Sequence, residues 1–100
     1  MHEIVWEFRP APHRERDFES AYGSAGPWVA LFRRDPGYLG TELIEPAEPG
    51  GWYRTIDRWE SRAAYARFRR NWQADYDAID QACASLTAAE RLVTRGSGEQ

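Results

Sequence analysis

Residues alternate in character from His2 to Arg9, with His2, Ile4, Trp6 and Phe8 on one side and Glu3, Val5, Glu7 and Arg9 on the other, until Pro10 ends the run. A period of two is that of a β-strand. Pro12 suits a first helical turn, and Phe18, Ala21 and Tyr22 then recur at helical spacing before Gly23 interrupts. Gly26-Pro27-Trp28 restarts the helical period for a short stretch in which Trp28, Leu31 and Phe32 share a face; Asp35-Pro36-Gly37 supplies the stop and turn. Tyr38 to Glu45 mixes β-formers with alternating polar residues, Pro46 to Gly51 reads as a hairpin loop, and Trp52 to Trp59 is the return strand.

Ser61 is a good N-cap for the longest helix, along which Tyr65, Phe68, Trp72, Tyr76, Ile79 and Cys83 recur at spacings of three and four and define one core-facing stripe. Leu86-Thr87 breaks that pattern, Thr87 and Glu90 form a capping box for a final helical turn, and Arg91 to Arg95 is a short closing strand. The remaining GSGEQ, residues 96 to 100, reads as a disordered tail after one domain over residues 1 to 95. The order strand, helix, strand, strand, helix, strand predicts an α+β, ferredoxin-like βαββαβ fold, an antiparallel sheet with its helices on one face. Val5 and Ile56 place apolar groups on the other face as well, which a second copy of the chain would cover, so a homodimer is expected.

Length and composition sharpen this picture in a few places. One hundred residues suit a single domain, and 42% hydrophobic residues with five Trp are enough for a core. The net charge of −3 comes from 16 acidic and 13 basic residues mixed along the chain, a balance that argues against a nucleic-acid partner. No stretch is long and apolar enough to span a membrane or resembles an export signal, and the lone Cys83 fits a reducing cytoplasm. His2 and His13 have no Cys or His at ligand spacing, so both read as surface histidines and no metal is expected.

Three stretches, VWEFR at Val5 to Arg9, LFRRDPGYLGTEL at Leu31 to Leu43 and TIDRWESRAAYARF at Thr55 to Phe68, together resemble the antibiotic biosynthesis monooxygenase family of dimeric α+β barrels. The resemblance runs in order from Val5 to about Leu92. It implies a pocket between sheet and helices and, for relatives that oxidise aromatic polyketides, chemistry without metal, flavin or haem. It also implies roles for Trp59, which matches the Trp of the family's WES signature, and for Tyr65, which matches a helical Tyr of the polyketide-oxidising branch. Phe68 stands where many relatives carry a His, and Thr55 where some oxygenases carry an Asn. Haem-degrading relatives use a His on the long helix, whereas His2 and His13 lie outside it, so no haem is expected.

Two functions stay open. In the first, a monooxygenase without cofactor acts on a small polyketide- or quinol-like aromatic: Trp59 and Tyr65 clamp the ring, Trp6, Phe8, Phe68 and Trp72 line an apolar slot, and Asp57, on the same strand face as Trp59, is the general base. In the second, the protein is a non-catalytic dimeric module for a small apolar ligand, with those aromatics as plain core and Asp57 in an ion pair with an Arg. On the long helix, Arg62, Arg67, Arg69 and Arg70 precede Asp75, Asp77 and Asp80, against the helix dipole, which reads either as a solvated surface or as an anion-attracting rim.

Overall fold

Alternation along the strands decides what each face of the sheet can do. The computed structural model describes residues 1–96 and runs β1 (His2–Pro10), α1 (Glu15–Tyr22), α2 (Pro27–Phe32), β2 (Tyr38–Ile44), β3 (Tyr53–Trp59), α3 (Arg62–Cys83) and β4 (Thr87–Gly96), with a 3-10 turn over Ala84–Leu86. The sheet order is β2-β3-β1-β4, every pair antiparallel. This is the α+β ferredoxin-like fold that the pattern predicts.

Ile4 and Phe8 of β1 and Tyr53 and Trp59 of β3 are buried in one aromatic core with Phe18 and Tyr22 of α1, Trp28, Leu31 and Phe32 of α2, and Phe68 of α3. The other sheet face carries Val5, only 7% exposed, among ion pairs. Arg58 reaches Glu3 at 2.9 Å and Glu42 at 3.3 Å, while Glu7 is held by Arg54 at 2.8 Å and Arg91 at 2.7 Å. Half-buried Ile56 and exposed Ile44 add to its apolar content, and Arg9 and Arg91 lie over the half-buried Trp52 ring at 4.9 and 4.1 Å.

The longest helix starts where its cap predicts, with the Ser61 hydroxyl accepting from the Ala64 amide at 3.0 Å. Its first turns are clamped to the turn before β2. Asp35 is buried and takes a bidentate pair from Arg67 at 2.6 and 3.0 Å as well as the Gly37 amide at 2.8 Å. Gly37 passes so close that an added Cβ would sit 2.6 Å from that of Ala64. Further along, Trp72 leaves the helical region (φ −126°, ψ 25°), with the Arg34 guanidinium 4.8 Å above its ring and Arg34 also bonded to Asp75 at 2.7 Å. Two members of the supposed charge rim, Arg67 and Asp75, are thus engaged in ion pairs within the chain while their side chains stay exposed. No helix of the described residues is long and apolar enough to cross a membrane.

Two local expectations fail. Thr87 to Glu90 forms no capping box, because these residues pair with Pro10, Arg9 and Phe8 and so begin β4 early; the backbone amides that a helix would leave unpaired find partners across the sheet instead. Helix α1 begins at Glu15, not at Pro12, after a turn in which His13 takes φ 66°. Of the expected tail, Gly96 pairs with Glu3 in the sheet, and residues 97–100 lie outside the described residues.

Phe68 has no exposed surface, so Phe68→Ala should destabilise the fold by about 3–5 kcal/mol. Half-buried Trp72, which shares its ring with Arg34, should lose less, about 1–2 kcal/mol, on the same truncation. Chemical denaturation of the two variants checks both values, and an equal loss at the two positions would contradict the packing described.

Candidate functional site

The inner sheet face and the helices leave one aromatic-walled cavity of about 130 Å³, partly open to solvent. Strand parity sets its floor: Trp6 and Phe8 of β1, Thr55 and Asp57 of β3 and Thr41 of β2 all face inward, with Trp6 opposite Thr55 and Thr41 opposite Asp57 in the register. The helices supply the rest of the wall: Tyr22 from α1, Trp28, Val29 and Phe32 from α2, and Tyr76 and Asp80 from α3, one turn apart. Glu90 of β4 closes the lining. A cavity of ~150 Å³ holds a benzene ring, so this one is on the scale of a single aromatic ring.

Asp57 is the half-buried carboxylate in this wall. Its Oδ1 accepts from the Thr41 hydroxyl at 2.7 Å, and Thr41 Oγ1 lies 2.6 Å from the Tyr38 hydroxyl. Thr41 has one hydroxyl hydrogen and gives it to Asp57, so Tyr38 must donate to Thr41, making a directed chain Tyr38 to Thr41 to Asp57. Burial pushes the Asp57 carboxyl up to about 6, against the opposing pull of the Thr41 hydrogen bond. No arginine pairs with it among the described residues; Arg54 and Arg58, its neighbours on β3, bond to glutamates of the outer face. The ion pair considered from the sequence is replaced by a hydroxyl chain.

Burial raises the Glu90 carboxyl, and the nearby charge of Asp80 adds to the rise. The Tyr22 and Tyr76 hydroxyls are also pushed up by burial and stay protonated at neutral pH. Trp28 contributes a buried indole N–H with no well-formed hydrogen bond, although the Tyr22 hydroxyl and Cys83 thiol lie near enough for it to temper the rise in both.

Of the residues singled out from the sequence, Trp6, Phe8 and Asp57 meet in the cavity wall. Trp59, Tyr65, Phe68 and Trp72 do not line it. Trp59 is fully buried between Phe68, Tyr38, Tyr65 and Phe32, with ring centroids at 4.9, 5.3, 5.3 and 5.6 Å. Tyr65 is half-buried, and its hydroxyl accepts from Arg69 at 2.9 Å. His2 corrects the reading of it as a surface residue: it is 1% exposed, 5.9 Å from the Tyr65 ring, because β1 pairs it with Trp59 on the inward face. Its parity with Ile4, Trp6 and Phe8 already carried that signal. Tyr22, Trp28, Thr41, Tyr76, Asp80 and Glu90 were not foreseen as a site, since they converge from five elements.

The fold and cavity thus define an α+β, ferredoxin-like domain with a ring-sized site between sheet and helices. Residues 1–82 match the family model for antibiotic biosynthesis monooxygenase, and the chain belongs to that family. Solved structures share its fold. SnoaB, a cofactor-independent oxygenase from Streptomyces nogalater, in a mutant form, is 21% identical with a TM-score of 0.73, the match covering 99% of this chain and 94% of that one. The protein SO0527 from Shewanella oneidensis is 17% identical with a TM-score of 0.71, covering 96% and 89%. A mutant of MhuD, with two manganese protoporphyrin IX bound per active site, is 19% identical with a TM-score of 0.65, covering 100% and 96%. An oxygenase without cofactor and a porphyrin-binding protein on one fold show that the fold alone does not set the chemistry. No match was found among curated proteins.

A carboxyl titrating near 6 in the native state and near 4 in the unfolded chain costs the fold about 2–3 kcal/mol when ionised. That penalty is absent below pH ~4, where both states hold the proton, and complete once the pH has risen past ~6. Asp57→Asn should therefore raise the Tm at pH 7.5, and the gain should vanish at pH 4. Calorimetry of parent and variant at the two pH values checks this; a gain equal at both would mean that burial does not raise the Asp57 carboxyl.

Proposed function

We propose that this chain is a cofactor-independent monooxygenase acting on a small phenol-like aromatic, with Asp57 as the base that ionises it. The observation that supports this most is a carboxyl held near 6 in an aromatic wall, partnered by a hydroxyl chain instead of an arginine. A base with that affinity for protons is mostly ionised at neutral pH and still strong enough to share a phenolic proton. The anion of an electron-rich, quinol-like phenol passes an electron to dioxygen; recombination at a ring carbon that bears a hydrogen gives a hydroperoxide, and loss of water leaves a quinone. One oxygen atom ends in the product and the other in water, so no outside reductant is needed. The likeness to SnoaB, itself a cofactor-independent oxygenase, agrees with the reading.

Within this reading Trp6 and Phe8 hold the ring, while Trp59 and Tyr65 act as positioning residues. Trp59 packs on Tyr38, the head of the chain that ends at Asp57, and Tyr65 packs on Trp59. Burial of Trp59 and Phe68 without residual exposure favours the second reading, a module that binds a small apolar ligand without turning it over. Oxygen uptake separates the two.

With a dihydroxybenzene and metal-free protein, uptake above the buffer rate is expected. Its kcat/KM should rise with pH through a midpoint near 6, and Asp57→Asn should lower it about 10²- to 10⁴-fold while binding persists. Asp57 is bonded by Thr41, which Tyr38 bonds in turn, and the other titratable groups of the same cavity wall are Tyr22 from α1, Tyr76 and Asp80 from α3, and Glu90 from β4. Glu90→Gln should leave the midpoint in place. Binding without uptake would establish the module instead.

We also propose a homodimer in which a second copy covers Val5, Ile56 and Ile44 on the outer sheet face, completing an α+β barrel. Sedimentation at micromolar concentration should show a dimer with an interface above ~1,000 Å²; monomer alone would exclude it.

A further inference from the structure

The charges that line the cavity are all of one sign. Of its twelve lining residues, six are aromatic, three are carboxylic acids and none is basic. Asp57 is partnered by Thr41, whereas Asp80 and Glu90 sit near enough to repel each other and neither has an ion-pair partner among the described residues. They come from α3 and β4 and are both exposed, which places them on the solvent side of the wall. Arg69 lies 3.9 Å over the Tyr76 ring but bonds to Tyr65 and Gln73 and does not line the cavity. Aromatic faces beside uncompensated carboxylates are the surroundings in which an organic ammonium is held, by ring quadrupoles and by charge-assisted hydrogen bonds.

A second observation concerns the deeper wall. Trp28 is 8% exposed, and its indole N–H, shielded from water, makes no well-formed hydrogen bond. With only the Tyr22 hydroxyl and Cys83 thiol near it and neither well placed, this donor gains a hydrogen bond from an acceptor on a ligand. A phenolic oxygen can accept from an N–H and donate to a carboxylate at the same time.

Resting on the reading of this cavity as the substrate site, we propose that its ligand is a single-ring phenol bearing a positively charged amine, the ammonium lying between Asp80 and Glu90 and the hydroxyl toward Asp57. The volume of about 130 Å³ sets the limit of one ring, since fused polycycles need more than the ~150 Å³ that holds benzene. The sign of the wall disfavours aromatic acids, whose carboxylate would meet three acidic residues and no cation.

Three probes of one shape test this: tyramine, 4-propylphenol, which replaces the ammonium with a methyl group, and 3-(4-hydroxyphenyl)propanoate, which carries the opposite charge. Calorimetric titration of the full chain should give tyramine binding about tenfold tighter than 4-propylphenol, and the acid weaker than both. Asp80→Asn combined with Glu90→Gln should bring tyramine to within about threefold of 4-propylphenol, leave the neutral phenol's affinity unchanged and keep the parent's circular dichroism and melting. Raised salt should erode the tyramine preference in the parent but not the binding of 4-propylphenol. Equal binding of tyramine and 4-propylphenol by the parent, or a preference that survives the double substitution, overturns the charge assignment while leaving an aromatic site. Failure of all three to bind overturns that assignment together with the site reading beneath it.

Discussion

Trp59 closes β3 and Phe68 lies two turns into α3, and their rings meet 4.9 Å apart with no surface left to water. Two side chains of this size remove several kcal/mol of apolar area from solvent, and only one placement of the long helix on the sheet allows it. The Ser61 cap starts the helix immediately after the strand, and Gly37 and the Asp35–Arg67 pair hold its first turns against the edge of β2. Given that anchor, the rest of α3 has little freedom. Tyr76 and Asp80 are carried over the inner face of the sheet and become the roof of the cavity.

The same anchoring separates the charges. On β3, Tyr53, Thr55, Asp57 and Trp59 face inward, and Arg54, Ile56 and Arg58 face outward. A slip of one residue in register would exchange the two sets, burying two arginines and exposing Trp59, so the burial of Trp59 also holds Asp57 on the inside. Arg54, Arg58 and Arg91 of the sheet are engaged with Glu3, Glu7 and Glu42 on the far face, and among the described residues Asp57 keeps a hydroxyl partner instead. Its raised proton affinity follows from that geometry. A structural requirement of the core therefore yields a carboxyl able to take up and release a proton near neutral pH.

Much of this was legible in the chain. Periods of two and of three to four residues determined the elements, their order and the α+β class, because alternation and amphipathicity are local consequences of backbone geometry. The inward parity of Trp6, Phe8 and Asp57 came from the same source, and His2 shared it, although its chemistry drew the reading to the surface. The Thr87 to Glu90 segment shows where local rules stop: a capping box and a strand compete for the same amides, and pairing with β1 decides between them.

What no local pattern contained was the division of one aromatic set into core and cavity. Trp59, Tyr65, Phe68 and Trp72 have the same helix-and-strand signature as Trp28 and Tyr76, yet the first four fill space and the last two border it. That outcome depends on how seven elements of unrelated sequence position approach one another, and so does the meeting of Asp80 with Glu90 and of Asp57 with Thr41. Sequence alone determined which residues are inward and apolar; the tertiary structure decided where their packing falls short of filling the interior, because a void is a property of distances between elements and not of any one of them.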